Sequence, residues 1–415
     1  MTKLRRAAVV LSGNELLDGR TRDTNGAFLS ADLSDRGVKV VSVLTVADDP
    51  RSLTEALIFS LAAEPDLLVV GGGLGTTHDD LTAACLAEAL GVGLEEHPAA
   101  LAMLEERVRV VAERRDLDFD QLFALARRQA LLPAGSTPVS PAGVAPGIAA
   151  LRGTTRIYAF PGVPFEFETM WREVAGRLEA DDLLPDVAVR IVRMFGVGEL
   201  QVAPILETVP RERLETGINV GSGEVTVRLR YPRETAAQEQ AAGVVAALEA
   251  GAPVYSSDGR TVDDLVAEGL RARRATVAVA ESCTGGLLGA RLSSRPGSSD
   301  YFVGGVVSYA DEVKMGLLGV PPGMLAQYGA VSEEVAGAMA EGVRATTGAD
   351  YSLAVTGVAG PGGGTSEKPV GLVYTACASP GGTAVARGHF PGDRAAVRDY
   401  SVTRALHLLL GALDA

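Results

Sequence analysis

The sequence contains few residues of the types that build metal sites and disulfide frameworks. Among 415 residues there are three cysteines and four histidines. Cys85, Cys283 and Cys377 have no CxxC spacing, so neither a zinc site nor a disulfide-stabilised fold is favoured. This cysteine usage fits a reducing compartment.

Long hydrophobic runs are also missing. No stretch approaches the roughly 20 apolar residues that would span a bilayer, so we do not expect a membrane protein. The apolar run near the amino terminus, Ala7 to Leu11, is too short for the core of a signal peptide. We therefore expect the chain to stay in the cytoplasm.

Clusters of basic residues, which bind nucleic acid, are absent as well. The formal net charge of −14 repels a phosphate backbone, and no lysine- or arginine-rich run overrides it. Direct nucleic-acid binding is therefore not expected. With 47% hydrophobic and 22% charged residues, the composition is that of a globular protein, and the length predicts two or three domains.

Hydrophobic patterning divides the chain into three segments. In residues 1–170, short apolar runs alternate with amphipathic stretches, which predicts an α/β domain with a mostly parallel sheet covered by helices on both faces. Residues 171–256 combine half-buried strands with a helix and predict a small α+β connecting domain. Residues 257–415 predict a second α/β domain, which opens with a helix capped by Thr261.

A polar hinge in the last domain is the first candidate site. The stretch VAVAESCTGGLL, Val277 to Leu288, predicts a strand, a turn and a helix. A serine in such a turn either caps the helix or is a nucleophile exposed at the carboxyl edge of the sheet. In the second case the amides of Gly285 and Gly286 would receive the oxyanion, and Thr284 would be the better cap.

Two further strands of this domain also end in polar or glycine-rich loops. One loop carries Tyr309 and Lys314, and the other carries Thr356, so all three loops are predicted at one edge of the sheet. A desolvated lysine near a serine can act as general base, and a tyrosine can relay a proton. The alternatives are a solvated surface amine for Lys314 and a core-edge aromatic for Tyr309.

Several blocks follow one another from about residue 258 to the end, among them ESCTGG, GGVVSYADEVKMGLLGV, AVTGVAGPGGGTSEKPVGLVY and FPGDRAAVR. These blocks and their order resemble the C-terminal domain of the CinA family, the nicotinamide-nucleotide amidase module. The resemblance implies hydrolysis of the carboxamide of nicotinamide mononucleotide, without a cofactor, to nicotinic acid mononucleotide and ammonia.

The same resemblance assigns roles to individual residues. Ser282 would be the nucleophile, with Lys314 and Tyr309 as its activating partners. Thr356 and Gly357 would line the substrate, and Arg394 would hold its phosphate. The turn residues Thr284, Gly285 and Gly286, singled out above from the hinge itself, complete the predicted substrate-binding set.

Two rival nucleophile arrangements are open at this stage. Cys283 is intrinsically the stronger nucleophile, but it lies one residue beyond Ser282 and is expected to pack in the core. His389 and Asp393 would complete a Ser-His-Asp set with Ser282, although a lone histidine is more often structural.

The first domain contains a glycine-rich loop, VVGGGLGTTHDDLT, between a predicted strand and a helix. The loop either presents backbone amides to an anion or forms a tight turn in which Asp79 and Asp80 complement the helix dipole. Together with SGNELLDGRTRDTN, AGVAPGIAA and FPGVPFEF, it resembles the N-terminal domain of CinA proteins, which has the three-layer molybdopterin-binding fold.

In that family the domain is associated with hydrolysis of ADP-ribose that depends on a divalent metal and potassium. The resemblance places Gly73, Gly75 and Thr76 at the site, and it makes Glu15, Asp79 and Asp80 the candidate metal ligands. The sequence departs from the family pattern at four places. Asn14 stands where an aspartate is usual, Thr76 where a proline is usual and His78 where an arginine is usual, and FPGVPFEF replaces the usual PGPPxE form. Loss of a carboxylate weakens a cation site, and loss of an arginine weakens a diphosphate site.

The sequence and its family resemblance together predict a cytoplasmic enzyme that deamidates nicotinamide mononucleotide, and the resemblance alone implies a homodimer. A second hypothesis adds ADP-ribose pyrophosphatase activity in the first domain. A third, suggested by the family's competence and damage-inducible name, is a non-catalytic partner in DNA uptake or damage response that acts through protein contacts.

Overall fold

The computed structural model describes residues 3–414, which form two compact units. The first unit ends at Ala188 and the second begins at Val189. Both units are α/β structures, so the predicted fold class is confirmed. Within residues 3–414, every helix is too short or too polar to cross a bilayer.

The first unit is built on one large mixed sheet. Its strands are β1 (Arg6–Ser12), β2 (Lys39–Val46), β3 (Leu67–Gly71), β4 (Leu94–Glu96), β5 (Leu131–Pro133), β6 (Thr137–Val139), β7 (Gly147–Arg152) and β8 (Thr155–Phe160). The order in the large sheet is β2-β1-β3-β8-β7-β6, with β2, β1, β3 and β8 parallel. The short strands β4 and β5 form a separate antiparallel pair.

Helices cover both faces of this sheet. They are α1 (Asn14–Leu17), α2 (Asn25–Asp35), α3 (Pro50–Ala62), α4 (Thr82–Leu90), α5 (Pro98–Arg115), α6 (Phe119–Ala126) and α7 (Pro164–Ala180), with a 3-10 turn at Arg127–Ala130. The helical stretch expected near residues 99–130 is interrupted at Asp116, whose positive φ of 52° ends α5. The boundary predicted at residue 170 falls inside α7.

Alternation along β1 explains the layered core. Ala7, Val9 and Leu11 pack on one face together with the buried Trp171 of α7. Ala8 and Val10 point to the other face and pack with residues of α3, α4 and α5. A strand whose side chains are buried on both faces needs a continuous apolar run, which is what the sequence contains there.

The second unit contains two sheets. Its strands are β9 (Val187–Phe195), which begins at the unit boundary, β10 (Glu215–Gly221), β11 (Glu224–Pro232), β12 (Val254–Ser256), β13 (Val277–Glu281), β14 (Phe302–Val307), β15 (Tyr351–Gly357), β16 (Leu372–Ser379) and β17 (Gly382–His389). Its helices are α8 (Glu199–Glu207), α9 (Thr235–Gly251), α10 (Val262–Arg273), α11 (Leu287–Ser293), α12 (Asp311–Leu318), α13 (Pro322–Tyr328), α14 (Glu333–Thr347) and α15 (Arg394–Asp414).

The smaller sheet has the order β10-β11-β9-β12 and belongs to the predicted connecting segment. Its β10–β11 turn packs against α15. Ser222 Oγ donates a hydrogen bond to Asp399, and the turn glycine Gly223 lies against the ring of Tyr400. At the start of β11, Glu224 Oε1 lies 2.7 Å from Nε2 of His407, which is also on α15.

The larger sheet has the order β14-β13-β15-β16-β17. Strand β13 runs parallel to β14 and β15, so the carboxyl ends of these three strands meet at one edge. The predicted N-cap of the helix that opens this domain is confirmed, because Thr261 Oγ1 accepts a hydrogen bond from the amide of Asp264. Buried residues line both faces of this sheet.

Candidate functional site

Ser282 directly follows β13 at the shared edge of the larger sheet. Its amide donates to the carbonyl of Val355 (2.9 Å), and its carbonyl accepts from the amide of Gly285 (3.1 Å). The residue is half-buried, and within residues 3–414 no group hydrogen-bonds to its Oγ. The main chain of Ser282 is therefore fixed, while its hydroxyl is not engaged.

The buried carboxylate of Glu281 organises the turn that follows. Glu281 is 1% exposed, and it accepts hydrogen bonds from the amides of Gly286 (3.0 Å), Leu288 (3.0 Å) and Gly289 (2.8 Å). These amides lie at the start of α11, where helix N–H groups lack intrahelical partners and favour negative charge. Sequence reasoning quoted Glu281 within ESCTGG but gave it no role.

This arrangement corrects two predictions about the turn. The amides of Gly285 and Gly286 are engaged by Ser282 and Glu281, so they do not offer free oxyanion donors. Thr284 does not cap the helix, because its buried Oγ1 has no hydrogen-bond partner and Gly286 occupies the N-cap position. The carboxylate of Glu281 takes the place of a serine or threonine cap.

The prediction that Cys283 packs in the core is confirmed. Its side chain is 5% exposed and belongs to the apolar cluster beneath the sheet. Desolvation raises the pKa of the Cys283 thiol to about 11. A protonated, buried thiol is a poor nucleophile near neutral pH.

We expect native protein to resist alkylation at every cysteine. All three thiols are buried, and burial raises the pKa of Cys377 to about 12. At pH 8 iodoacetamide should leave the intact mass of the folded chain unchanged and should modify three thiols after unfolding in urea. Rapid modification of Cys283 in folded protein would contradict its assignment to the core.

Tyr309 lies in the loop that follows β14, and Lys314 lies on α12, directly after that loop. Lys314 is 1% exposed, so it is not the solvated surface amine that the sequence left open. Its Nζ donates to the carbonyls of Ser308 (2.9 Å) and Tyr309 (3.1 Å) and lies 3.3 Å from Asp311 Oδ1. The ammonium group therefore fastens this loop, and it makes no hydrogen bond to Ser282.

The loop is also tied to the strand that bears the serine. The amide of Ser308 donates to the carbonyl of Glu281 at 2.7 Å. Tyr309 is 61% exposed, and its hydroxyl accepts a hydrogen bond from Arg394 Nη2 at 3.1 Å. Lys314 thus fixes the main chain from which the Tyr309 side chain extends.

A cavity of about 640 Å³ has Gly360, Arg394 and Arg398 in its lining, whereas Ser282 and Tyr309 are not among its lining residues. Arg394 Nη1 donates to the carbonyl of Gly360 (2.8 Å), and Arg398 Nη2 donates to the carbonyl of Thr284 (2.6 Å). The buried Nε of Arg398 has no partner within the described chain. Sequence reasoning missed Arg398, although it stands one helical turn after Arg394.

The other predicted substrate-binding residues lie at the end of β15. Thr356 is 1% exposed and its Oγ1 donates to the carbonyl of Ala330 (2.7 Å), so its hydroxyl is used in the core. Gly357 pairs with Val373, and a Cβ at this position would lie 2.6 Å from Val373 Cγ2. Both residues shape the strand end, and their single side-chain polar group, the Thr356 hydroxyl, is already hydrogen-bonded.

The alternative Ser-His-Asp set is not assembled. His389 is exposed at the end of β17. The Asp393 carboxylate accepts a hydrogen bond from the amide of Ala396 at the start of α15. Across residues 3–414, neither residue hydrogen-bonds to the other or to Ser282.

A second cavity, of about 560 Å³, lies in the first unit at the carboxyl ends of β1, β3 and β8. Gly73 and Gly75 line it as predicted, but Thr76 is not among the lining residues and Thr77 is. Helix α4 begins only at Thr82.

The glycine-rich loop is closed on itself by Asp80. Asp80 Oδ1 accepts from the amide of Gly75 (2.7 Å), and Oδ2 accepts from the amide and Oγ1 of Thr77 (2.7 Å each). Arg128 adds a hydrogen bond from Nη2 to the carbonyl of Asp80 at 3.0 Å. The amides of Gly75 and Thr77 thus bind a protein carboxylate and are not available to an anion.

The candidate metal ligands do not fit a divalent ion as they are arranged. Both oxygens of Asp80 are engaged, and the Glu15 carboxylate folds back against Gly13. Asp79 is exposed. Throughout residues 3–414, no group of three or more His, Cys, Asp or Glu side chains converges as a metal site.

The unusual Asn14 has a structural role instead. Its Oδ1 accepts from the amide of Asp48 (3.2 Å), and the Asp48 carboxylate accepts from the amide of Asn14 (3.0 Å). This reciprocal pair joins the loops that follow β1 and β2.

Comparison with known proteins agrees with both domains. A family model described as "CinA C-terminal domain" matches residues 259–413, and one described as "Probable molybdopterin binding domain" matches residues 8–180. A "CinA-like protein" of Mycobacterium sp. (strain MCS) is 40% identical over 426 positions, covering 99% of both chains. A "CinA-like protein" of Mycobacterium leprae (strain TN) is 38% identical, covering 99% of this chain and 97% of its own.

Solved structures match part of the chain as well. The competence/damage inducible protein CihA from Agrobacterium tumefaciens is 36% identical over 37% of this chain and 96% of its own, with a TM-score of 0.36. The full-length similarity to the CinA-like proteins decides the assignment. The chain belongs to the CinA family.

Proposed function

We propose that the C-terminal α/β domain hydrolyses the carboxamide of nicotinamide mononucleotide, with Ser282 as nucleophile. The observation that carries this proposal is the setting of Ser282. Its unengaged hydroxyl follows a buried parallel strand, in a turn that Glu281 fixes and that Arg398 joins to a cavity wall. Such turns expose a nucleophile at the edge of a sheet.

The reaction would proceed in two steps. Ser282 Oγ attacks the carboxamide carbon, and its proton passes to the departing nitrogen, which leaves as ammonia. The acyl-serine ester that remains is then attacked by water, which releases the nicotinate product and restores the serine hydroxyl. Both steps require proton transfer and oxyanion stabilisation, and neither requires a cofactor.

The surrounding residues support these steps. We assign the proton transfer to Tyr309, whose hydroxyl lies beside the Arg394 guanidinium, and we assign loop positioning to Lys314. The amides of Cys283 and Thr284 belong to the same turn, and within residues 3–414 neither donates to another residue. We propose the Cys283 amide as the oxyanion donor, because Thr284 is completely buried.

The phosphate of the substrate would be held by Arg394 and Arg398. Both guanidinium groups line the cavity, and paired arginines suit a dianionic phosphate. We place the reaction in the cytoplasm, which the three unpaired thiols support. The homodimer expected from the family resemblance stays a prediction.

Ammonia release from nicotinamide mononucleotide tests the proposal directly. The full-length protein, treated with EDTA, should release ammonia and nicotinic acid mononucleotide in equal amounts. Nicotinamide riboside, which lacks the phosphate, should be a poorer substrate through a higher KM. Absence of ammonia from protein that circular dichroism shows to be folded would refute the proposal and favour a non-catalytic role through protein contacts.

A further inference from the structure

A third cavity lies in the first unit, over the antiparallel strands β6, β7 and β8. Its volume is about 350 Å³, and its described lining shares no residue with the cavity at the carboxyl ends of β1, β3 and β8. Thr137, Ala149 and Tyr158, which are neighbours across the three strands, line it from the sheet. Val174 and Arg177 of α7, which lie three residues apart and share a helix face, line it from the other side.

The polar groups of three lining residues lie close together. Arg156 precedes Tyr158 by two residues on β8, so both side chains are on the same face of that strand. Burial raises the pKa of the Tyr158 hydroxyl, and the positive charges of Arg156 and Arg177 act against this rise. Both guanidinium groups are therefore near the hydroxyl, and two guanidinium groups beside a neutral hydroxyl suit an anion.

The charge of this lining contrasts with that of the whole protein. The formal net charge of the chain is −14, yet the described lining residues include two arginines and no carboxylate. Glu173 lies outside the lining and forms an ion pair with Arg177, so it offsets part of that positive charge. Asp181, also outside the lining, acts electrostatically on the Tyr158 hydroxyl. A cavity of small positive charge suits a singly charged anion better than a dianionic phosphate.

The remainder of the lining is mostly apolar, and it includes Pro138, Val139, Ala149, Leu151 and Val174. A cavity of this volume is at the small end of the range for organic ligands. We infer that this cavity binds a small organic carboxylate, whose charged group lies between Arg156 and Arg177 and whose apolar body covers the sheet. The inference concerns a site in the first unit, and it does not depend on the amidase proposal.

Benzoate is a suitable probe because it joins one carboxylate to a small apolar ring. Calorimetric titration of the full-length protein should detect benzoate binding. Benzamide, which has the same shape without the charge, should bind at least about tenfold more weakly, because it loses the charge-assisted hydrogen bonds. Phenyl phosphate should also bind more weakly. No benzoate binding at millimolar concentration, equal binding of benzamide, or tighter binding of phenyl phosphate would each overturn the inference.

Arginine variants test whether the benzoate occupies this cavity. Arg177→Gln should lower the benzoate affinity by about tenfold, because the carboxylate loses a charged donor. Arg172→Gln is the matched control, because Arg172 is also on α7 and pairs with the glutamate four residues before it, but it lies outside the lining. Both ion pairs are exposed, so the two variants should have similar Tm values. Equal benzoate affinities of these two variants would overturn the inference.

A variant in the second unit excludes binding at the proposed amidase site. Arg394 lines the cavity of that unit, where a carboxylate could also be bound. Arg394→Gln should leave the benzoate affinity of the protein unchanged, whether or not the amidase proposal is correct. Loss of benzoate binding in this variant would overturn the inference.

Discussion

Replacing Ser282 with alanine is expected to lower ammonia release from nicotinamide mononucleotide by at least about a thousandfold. Loss of a catalytic nucleophile typically costs this much or more, because the remaining groups only bind and polarise the substrate. The substitution removes a hydroxyl that makes no hydrogen bond within residues 3–414, so the fold should persist. Steady-state kinetics and a urea denaturation curve measure the two effects separately.

Ser293→Ala is the matched control for this variant. Ser293 is exposed at the end of α11, and its Oγ donates only to carbonyls of the same helix. This variant should retain the kcat of the wild-type protein. If Ser282→Ala also retained its activity, the nucleophile would have to be another group, and Cys283 would be the first to examine by alkylation.

Replacing Glu281 with glutamine is expected to destabilise the protein by about 2–4 kcal/mol. The carboxylate accepts three amide hydrogen bonds at 1% exposure, so water cannot substitute for a lost acceptor. In glutamine, one oxygen becomes an NH2 group that faces an amide donor. The turn that holds Ser282 should become less ordered. We therefore expect both kcat and the free energy of unfolding to be lower than in the wild-type protein.

Urea denaturation and kinetics on the same preparation measure both parts of this prediction. Glu341→Gln is the control, because Glu341 is exposed on α14 and accepts a single hydrogen bond, from Thr383 Oγ1. The control should shift the free energy of unfolding by less than about 0.5 kcal/mol. A Glu281→Gln protein as stable as this control would show that the carboxylate does not hold the turn.

Local patterning predicted the framework of the chain well. The apolar runs of β1 and β13 are buried on both faces, and the hinge after β13 is a turn before a helix, as expected. The helical stretch predicted near residues 99–130 is interrupted at Asp116, which adopts a positive φ. Hydrophobic periodicity does not indicate such a change of backbone conformation. The spacing of apolar residues and the identity of capping residues determine structure over a few neighbouring positions. Both can therefore be read from the sequence.

Hydrogen-bond partners were harder to predict because they depend on which loops meet. Lys314 was expected near Ser282 from its loop position, yet its Nζ turns to the carbonyls of its own loop. The amides assigned to an oxyanion are used by Ser282 and by the neighbouring Glu281. Arg398 could have been found from its spacing of one helical turn from Arg394.

The β10–β11 turn constrains residues far from it in sequence. Ser222 and Gly223 both have positive φ, and a Cβ at Gly223 would lie 3.0 Å from Tyr400 Cδ1. The helix braced by this turn is the one that carries Arg394 and Arg398. The turn residues and the α15 residues that contact them, Asp399 and Tyr400, should therefore change together during evolution. None of these residues lines the cavity that contains Arg394 and Arg398.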